Sequence, residues 1–176
     1  MIKHDIFCCL FCIGLLLGPA VYKNTWAQEP AWEQIASMPV WASSIFTGPA
    51  FLDDFMLSSR LNPYLVYGDF NGDGALDIAV LIRRRSDGFQ GIGILHGGDT
   101  KPIILGAGNA IGNGGDNFDW LGAWSVYPKG PVEKSVYEEG PPPQIRGDLL
   151  FVEKLESASG LIYWDGSAYR WYQQGD

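Results

Sequence analysis

Asp69, Asn71 and Asp73 place side-chain oxygens at alternate positions, Gly74 follows them, and Asp77 closes the series eight residues after the first. A hard cation such as calcium takes six to eight oxygen ligands at roughly 2.3–2.6 Å, and a tightly folded loop supplies them from alternating side chains and one carbonyl. Here that carbonyl falls to Ala75. Asp69, Asn71, Asp73, Ala75 and Asp77 are therefore the candidate ligands of a Ca2+ site, with water completing the shell. The same residue types also build plain turns without a metal.

Two departures separate the loop from an EF-hand. Val80 stands where an EF-hand has its bidentate glutamate, and the residues after Asp77 form a β-branched, aliphatic run instead of an exposed helix. The loop must enter a strand. In this respect residues 67–98 resemble the calcium-binding repeats of integrin-α-like propellers, the FG-GAP or VCBS repeats, in which an Asp-Phe-Asn-Gly-Asp-Gly-x-x-Asp loop leads into a buried strand. The resemblance implies a calcium-binding β-unit. The Gly-Ala-Pro of the first of those families is missing after Ile78, and a chain with one such motif cannot supply the roughly 50 residues per blade of a seven-bladed propeller.

Other constellations are weaker. Asn113, Asp116, Asn117 and Asp119 offer oxygens at irregular spacing, as a solvated loop would. Arg83, Arg84 and Arg85 are conspicuous in an acidic chain; they read as an anion clamp or as a solvated turn after a strand. Trp164, Tyr169, Trp171 and Tyr172 could stack on a sugar, although aromatics alternating in a hairpin more often fill a core. His96, beside Gly97 and Gly98, reads as a structural histidine, and no nucleophile motif accompanies it. A glycosidase-like pair drawn from Asp116, Asp119, Glu138 and Glu139 has no support from spacing. The expectation is a protein without enzymatic activity.

Charge and cysteine usage set the address. Residues 1–27 carry Lys3, a short apolar core at 6–17, the Gly18-Pro19 break and a small residue at Ala27, the pattern of a secretory signal peptide. Residues 28–176 then form a single domain of about 149 residues with ten basic and nineteen acidic side chains, a balance that disfavours nucleic acid as a partner. Cys8, Cys9 and Cys12 all lie in the leader, so no disulfide framework remains. A structural metal would compensate for that lack.

These residues are positioned by a mainly β fold: a compact antiparallel domain of about eight short strands behind one or two short N-terminal helices. Residues 28–58 show helical spacing, with Trp32, Ile35 and Ala36 in one segment and Phe51, Leu52, Phe55 and Met56 in a second, whose first turn holds Asp53 and Asp54. Strands are expected at 64–68, 75–83, 89–95, 102–105, 121–127, 148–154, 161–164 and 168–172, with a tight turn at Asp165-Gly166. Leu76, Ile78, Val80 and Ile82 on one face, with Ala79 and Leu81 on the other, mark a central strand. The loops 106–122 and 127–147 are longer than a connection needs, and the second holds Pro141, Pro142 and Pro143.

The expected function is a secreted or periplasmic module that binds a protein or glycan partner, with calcium as structural support. The alternative is a periplasmic inhibitor or immunity protein against a lysozyme-like cell-wall hydrolase, since some lysozyme inhibitors are small β-domains resembling this one. In that case a loop would enter the enzyme's cleft and the acidic surface would steer a basic partner.

Overall fold

The structure, a computed structural model, describes residues 32–175; the expected signal peptide lies outside them. The chain is mainly β, and its described residues form nine strands in two antiparallel sheets and three short α-helices. Helices α1 (Trp32–Ser37), α2 (Val40–Phe46) and α3 (Pro49–Leu52) come first. The first sheet contains β1 (Phe55–Leu57), β2 (Leu65–Gly68), β3 (Asp77–Arg84), β4 (Gln90–Leu95) and β5 (Ile103–Gly106). The second contains β6 (Ala123–Tyr127), β7 (Leu149–Lys154), β8 (Ala158–Trp164) and β9 (Tyr169–Gly175). Strands β2 to β5 and β6 to β9 are thus two successive four-stranded meanders. Strand β1 adds to the first, pairing with β3 beyond the end of β2.

All eight expected strands form, within one to three residues of their expected ends. The additional strand, β1, overturns part of the expected second helix. That helix starts with Pro49 in its first turn, where a missing N–H costs nothing, and it stops at Leu52. Phe55, Met56 and Leu57 instead pair with Arg84, Arg83 and Ile82. Ladder hydrogen bonds on the open edge of β3 outweigh one further helical turn, which would have only local contacts. Asp53 and Asp54 accordingly follow the helix and do not sit in its first turn. Arg85 secures the junction, its Nε donating to the Leu52 carbonyl at 2.6 Å and to the Phe55 carbonyl at 3.1 Å.

The alternation in β3 places its two faces in two different cores. Ala79 and Leu81 face the second sheet and pack with Ile92, Ile94, Trp124, Leu150, Val152 and Ile162. Ile78, Val80 and Ile82 face the helices, meeting Met38, Ala42, Phe46 and Phe51. Every residue from Asp77 to Ile82 is buried. Leu76, expected on the same strand face as Ile78, Val80 and Ile82, is 53% exposed, because the strand begins one residue later and Leu76 belongs to the preceding loop. In β4, Gly93 lies under the Phe46 ring, which would stand 3.3 Å from a Cβ at that position; the Gly-Ile-Gly-Ile sequence therefore fills one face and leaves the other open to the helices.

The outer face of the second sheet is covered differently. Leu149, Leu161 and Tyr172 pack beneath Val132 and Ile145 of the 128–147 loop. Ser135 N donates to the Tyr172 hydroxyl at 2.9 Å, which ties this strap down.

Phe46 is fully buried and meets Phe51 edge-on at 5.1 Å. Phe46→Ala is expected to cost about 3–5 kcal/mol by urea denaturation, while Val40→Ser, on the exposed side of α2, should change stability by less than about 0.5 kcal/mol. Equal losses would contradict the placement of the helices on the sheet.

Candidate metal centre

Four candidate ligands, Asp69, Asn71, Asp73 and Ala75, lie in the loop between β2 and β3, the fifth, Asp77, opens β3, and β-pairing closes the loop's neck, since Gly68 pairs with Asp77. Two features fix the loop from below. Phe70 is fully buried in the core between the sheets. Asp77, at the first position of β3, is also fully buried. Gly72 and Gly74 have φ of 79° and 85°, left-handed values that allow the chain to reverse between the aspartates.

The side-chain oxygens are turned onto the loop's own backbone. Asp69 accepts from Gly72 N at 2.8 Å and Gly74 N at 3.0 Å. Asn71 Oδ1 accepts from Asp73 N at 2.9 Å, and Asp73 Oδ1 accepts from Ala75 N at 2.7 Å. Asn71 Nδ2 donates to the second Asp73 oxygen at 2.9 Å. Asp77 Oδ2 accepts from Phe70 N at 2.8 Å and Asn71 N at 3.3 Å, and its Oδ1 accepts from Gly97 N at 2.8 Å. The hydrogen bonds from Ala75 N–H and Asn71 hold the Asp73 carboxyl below its ordinary pKa. Burial pushes Asp77 upward, against the backbone donors and nearby His96.

Sequence reasoning missed the second wall of this loop. Asp148, just before β7, accepts from Asp69 N through Oδ2 at 3.0 Å and from Lys129 N through Oδ1 at 2.8 Å, while its own N–H donates to the Asp69 carbonyl at 2.7 Å. The neighbouring Gly147 has no room for a side chain, because a Cβ would stand 2.1 Å from the Asp69 carbonyl oxygen. Asp148 precedes the second strand of its meander, as Asp77 opens the second strand of the other. That correspondence is visible in sequence as an aspartate before an apolar run. The contact across the sheets is not.

The remaining constellations separate in space. Arg84 pairs with Asp87, and Arg85 bonds backbone carbonyls, so the arginine triplet is divided. Arg83 lies apart, lining a crevice of about 100 Å³ with Arg60. Asn117 bonds Asp119 and accepts from Gln90 N, whereas Asn113 donates to Gln173; these oxygens do not gather around one point. Glu138 accepts from Gln173 N at 3.0 Å. His96 is 6% exposed, its Nε2 lies 2.7 Å from the Tyr169 hydroxyl, and its ring meets Trp164 at 5.2 Å. Burial raises the Tyr169 pKa strongly. The four hairpin aromatics do not form one platform: Trp164 and Tyr169 group around His96, Tyr172 turns to the outer face, and Trp171 stands with Trp120 at 6.1 Å.

Among the described residues no three His, Cys, Asp or Glu side chains converge as a ready-made metal cluster, and no helix is long and apolar enough to cross a membrane. Comparison with protein-family models, curated proteins and solved structures returns no match.

Asp148→Ala would leave the Asp69 and Lys129 N–H groups without their acceptor. A loss of about 1–3 kcal/mol is expected by denaturant unfolding at neutral pH; an unchanged midpoint would show that Asp148 is not a support of the loop.

Proposed function

We propose that this chain is a secreted or periplasmic calcium-binding β-domain, with a structural Ca2+ held by Asp69, Asn71, Asp73, Ala75 and Asp77, that acts as a recognition module for a protein or glycan. The observation that carries the reading is uncompensated negative charge. Asp69, Asp73 and Asp77 follow one another along one loop and Asp148 bonds its backbone, yet each ion pair among the described residues involves other carboxylates, those of Asp87, Asp99 and Asp165. Asp77 is buried there with backbone N–H partners and no guanidinium or ammonium. A buried carboxylate without a countercharge is costly. A divalent cation would supply that charge.

The donor set fits such an ion. All the oxygens are hard, and an oxygen that accepts one N–H keeps a further lone pair. The N–H bonds already set the carboxylates in the loop, so binding requires less ordering of the backbone. Calcium bound there would hold the β2–β3 neck and the Asp148 contact together, supplying rigidity to a fold that has no cysteine among its described residues. The acidic whole chain, with a net charge of −8, favours neutral or basic partners over nucleic acid.

Thermal unfolding of the chain from Gln28 onward, in chelator and across a calcium titration with magnesium as control, tests the reading. At about a hundred times the dissociation constant, calcium should stabilise by about 2.7 kcal/mol and raise the midpoint by several degrees. A flat response, or an equal response to magnesium, would refute the calcium site. Asp73→Ala should lower the midpoint by at most about 2 °C in chelator, where only local hydrogen bonds are lost, and by clearly more in saturating calcium. Equal losses in the two conditions would remove Asp73 from the ligand set.

A further inference from the structure

The two long loops converge on the edge of the second sheet. Asn113 and Trp120 come from the first loop, Tyr137 from the second, and Trp171 and Gln173 from β9, which pairs only with β8. They line an open cavity of about 560 Å³, with Lys154 at its rim. A second cavity of about 570 Å³ shares Asn113, Tyr137 and Trp171 with it and continues the cleft past Arg170. Volumes of this size are in the range of small-molecule sites.

The aromatic walls are held in place. A Cβ on Gly112, Gly114 or Gly160 would stand 2.4, 2.8 or 2.3 Å from Trp171, so backbone closes on that indole from two segments. Its Nε1 donates to Gln173 Oε1 at 2.9 Å, and Trp120 Nε1 donates to the Gly114 carbonyl at 2.9 Å. Gln173 is 7% exposed and also accepts from Asn113 Nδ2 at 3.1 Å. With their N–H groups engaged, both indoles remain partly exposed and offer carbon surface at fixed orientation.

We infer that this cleft binds a short neutral oligosaccharide of equatorially substituted hexoses, an assignment that rests on the recognition role proposed above and names its ligand. The flat C–H face of such a ring suits an indole or phenol, and its hydroxyls suit the side chains of Asn113, Ser157, Ser159 and Lys154 at the rim. A peptide adding as a strand to β9 meets an obstructed edge, because Glu138 already occupies Gln173 N and the Gln173 amide bonds the Gly175 carbonyl. Polyanions are disfavoured by the acidic chain.

The test is two-dimensional NMR of the chain from Gln28 in saturating calcium, titrated with cellotriose, triacetylchitotriose and laminaritriose to about 10 mM, a range that detects weak binding. At least one trisaccharide should shift the Trp120 and Trp171 indole N–H signals saturably and leave that of the buried Trp124 in place. Tyr137→Ala, at an exposed position, should weaken binding about tenfold, and Ala158→Arg, at the cavity wall, should abolish it, each with the wild-type melting temperature. No indole shift with any of the three sugars, or binding unchanged in Ala158→Arg, would overturn the assignment. The calcium titration reads the Asp69–Asp77 loop separately, so failure of the sugar experiment leaves its outcome standing, and the reverse holds.

Discussion

The fold depends on the burial of both faces of β3. One strand of eight residues separates two apolar cores, one against the second sheet and one against the helices, and shares hydrogen bonds with β1 and β2 on one edge and with β4 on the other. A register slip of one residue would exchange Leu81 for Ile82 and disrupt both cores together. Asp77 is the first residue of that strand, so the acidic loop is attached directly to a strand buried on both faces.

The two meanders solve the same covering problem with unequal means. Helices close the outer face of the first sheet, and an irregular strap closes that of the second. The helices pack Phe46 and Phe51 onto a surface cleared by glycine in β4. The strap has fewer large apolar groups to offer and relies on Val132, Ile145 and a few polar ties. Asp148 links the halves, since it belongs to the second meander but bonds the backbone of the first meander's loop.

Strands were legible because their patterns are local. The two-sided apolar run at 76–82 indicated a central strand, and Asp165-Gly166 indicated the β8–β9 turn, which Asp165 builds by accepting from the Ser167 and Ala168 amides. Phe55–Leu57 was misread because Phe55 and Met56 continue the helical spacing of Phe51 and Leu52, and only the free edge of β3 makes them a strand. The candidate loop was legible as a motif, since its five residues are nearly contiguous. Its wall at Gly147 and Asp148 was not, because that contact spans 79 residues of chain. The hairpin aromatics were legible as a group but not by destination, since alternation along β9 puts Tyr169 and Trp171 on one face and Tyr172 on the other, and only the packing of the two sheets decides which face is which.

The strap over the second sheet has a consequence for how the molecule opens. Strands in a doubly buried ladder exchange their amide protons only through near-global unfolding, whereas a segment held by scattered bonds opens at lower free energy. Detachment at Ser135 and Glu138 would bare Leu149, Leu161 and Tyr172 and, in the same event, remove the Tyr137 wall from the aromatic cleft. Such an opening dismantles the cleft while β3 and its acidic loop stay folded. A protease sampling that excursion would cut the strap first and leave a nicked, still-folded sandwich.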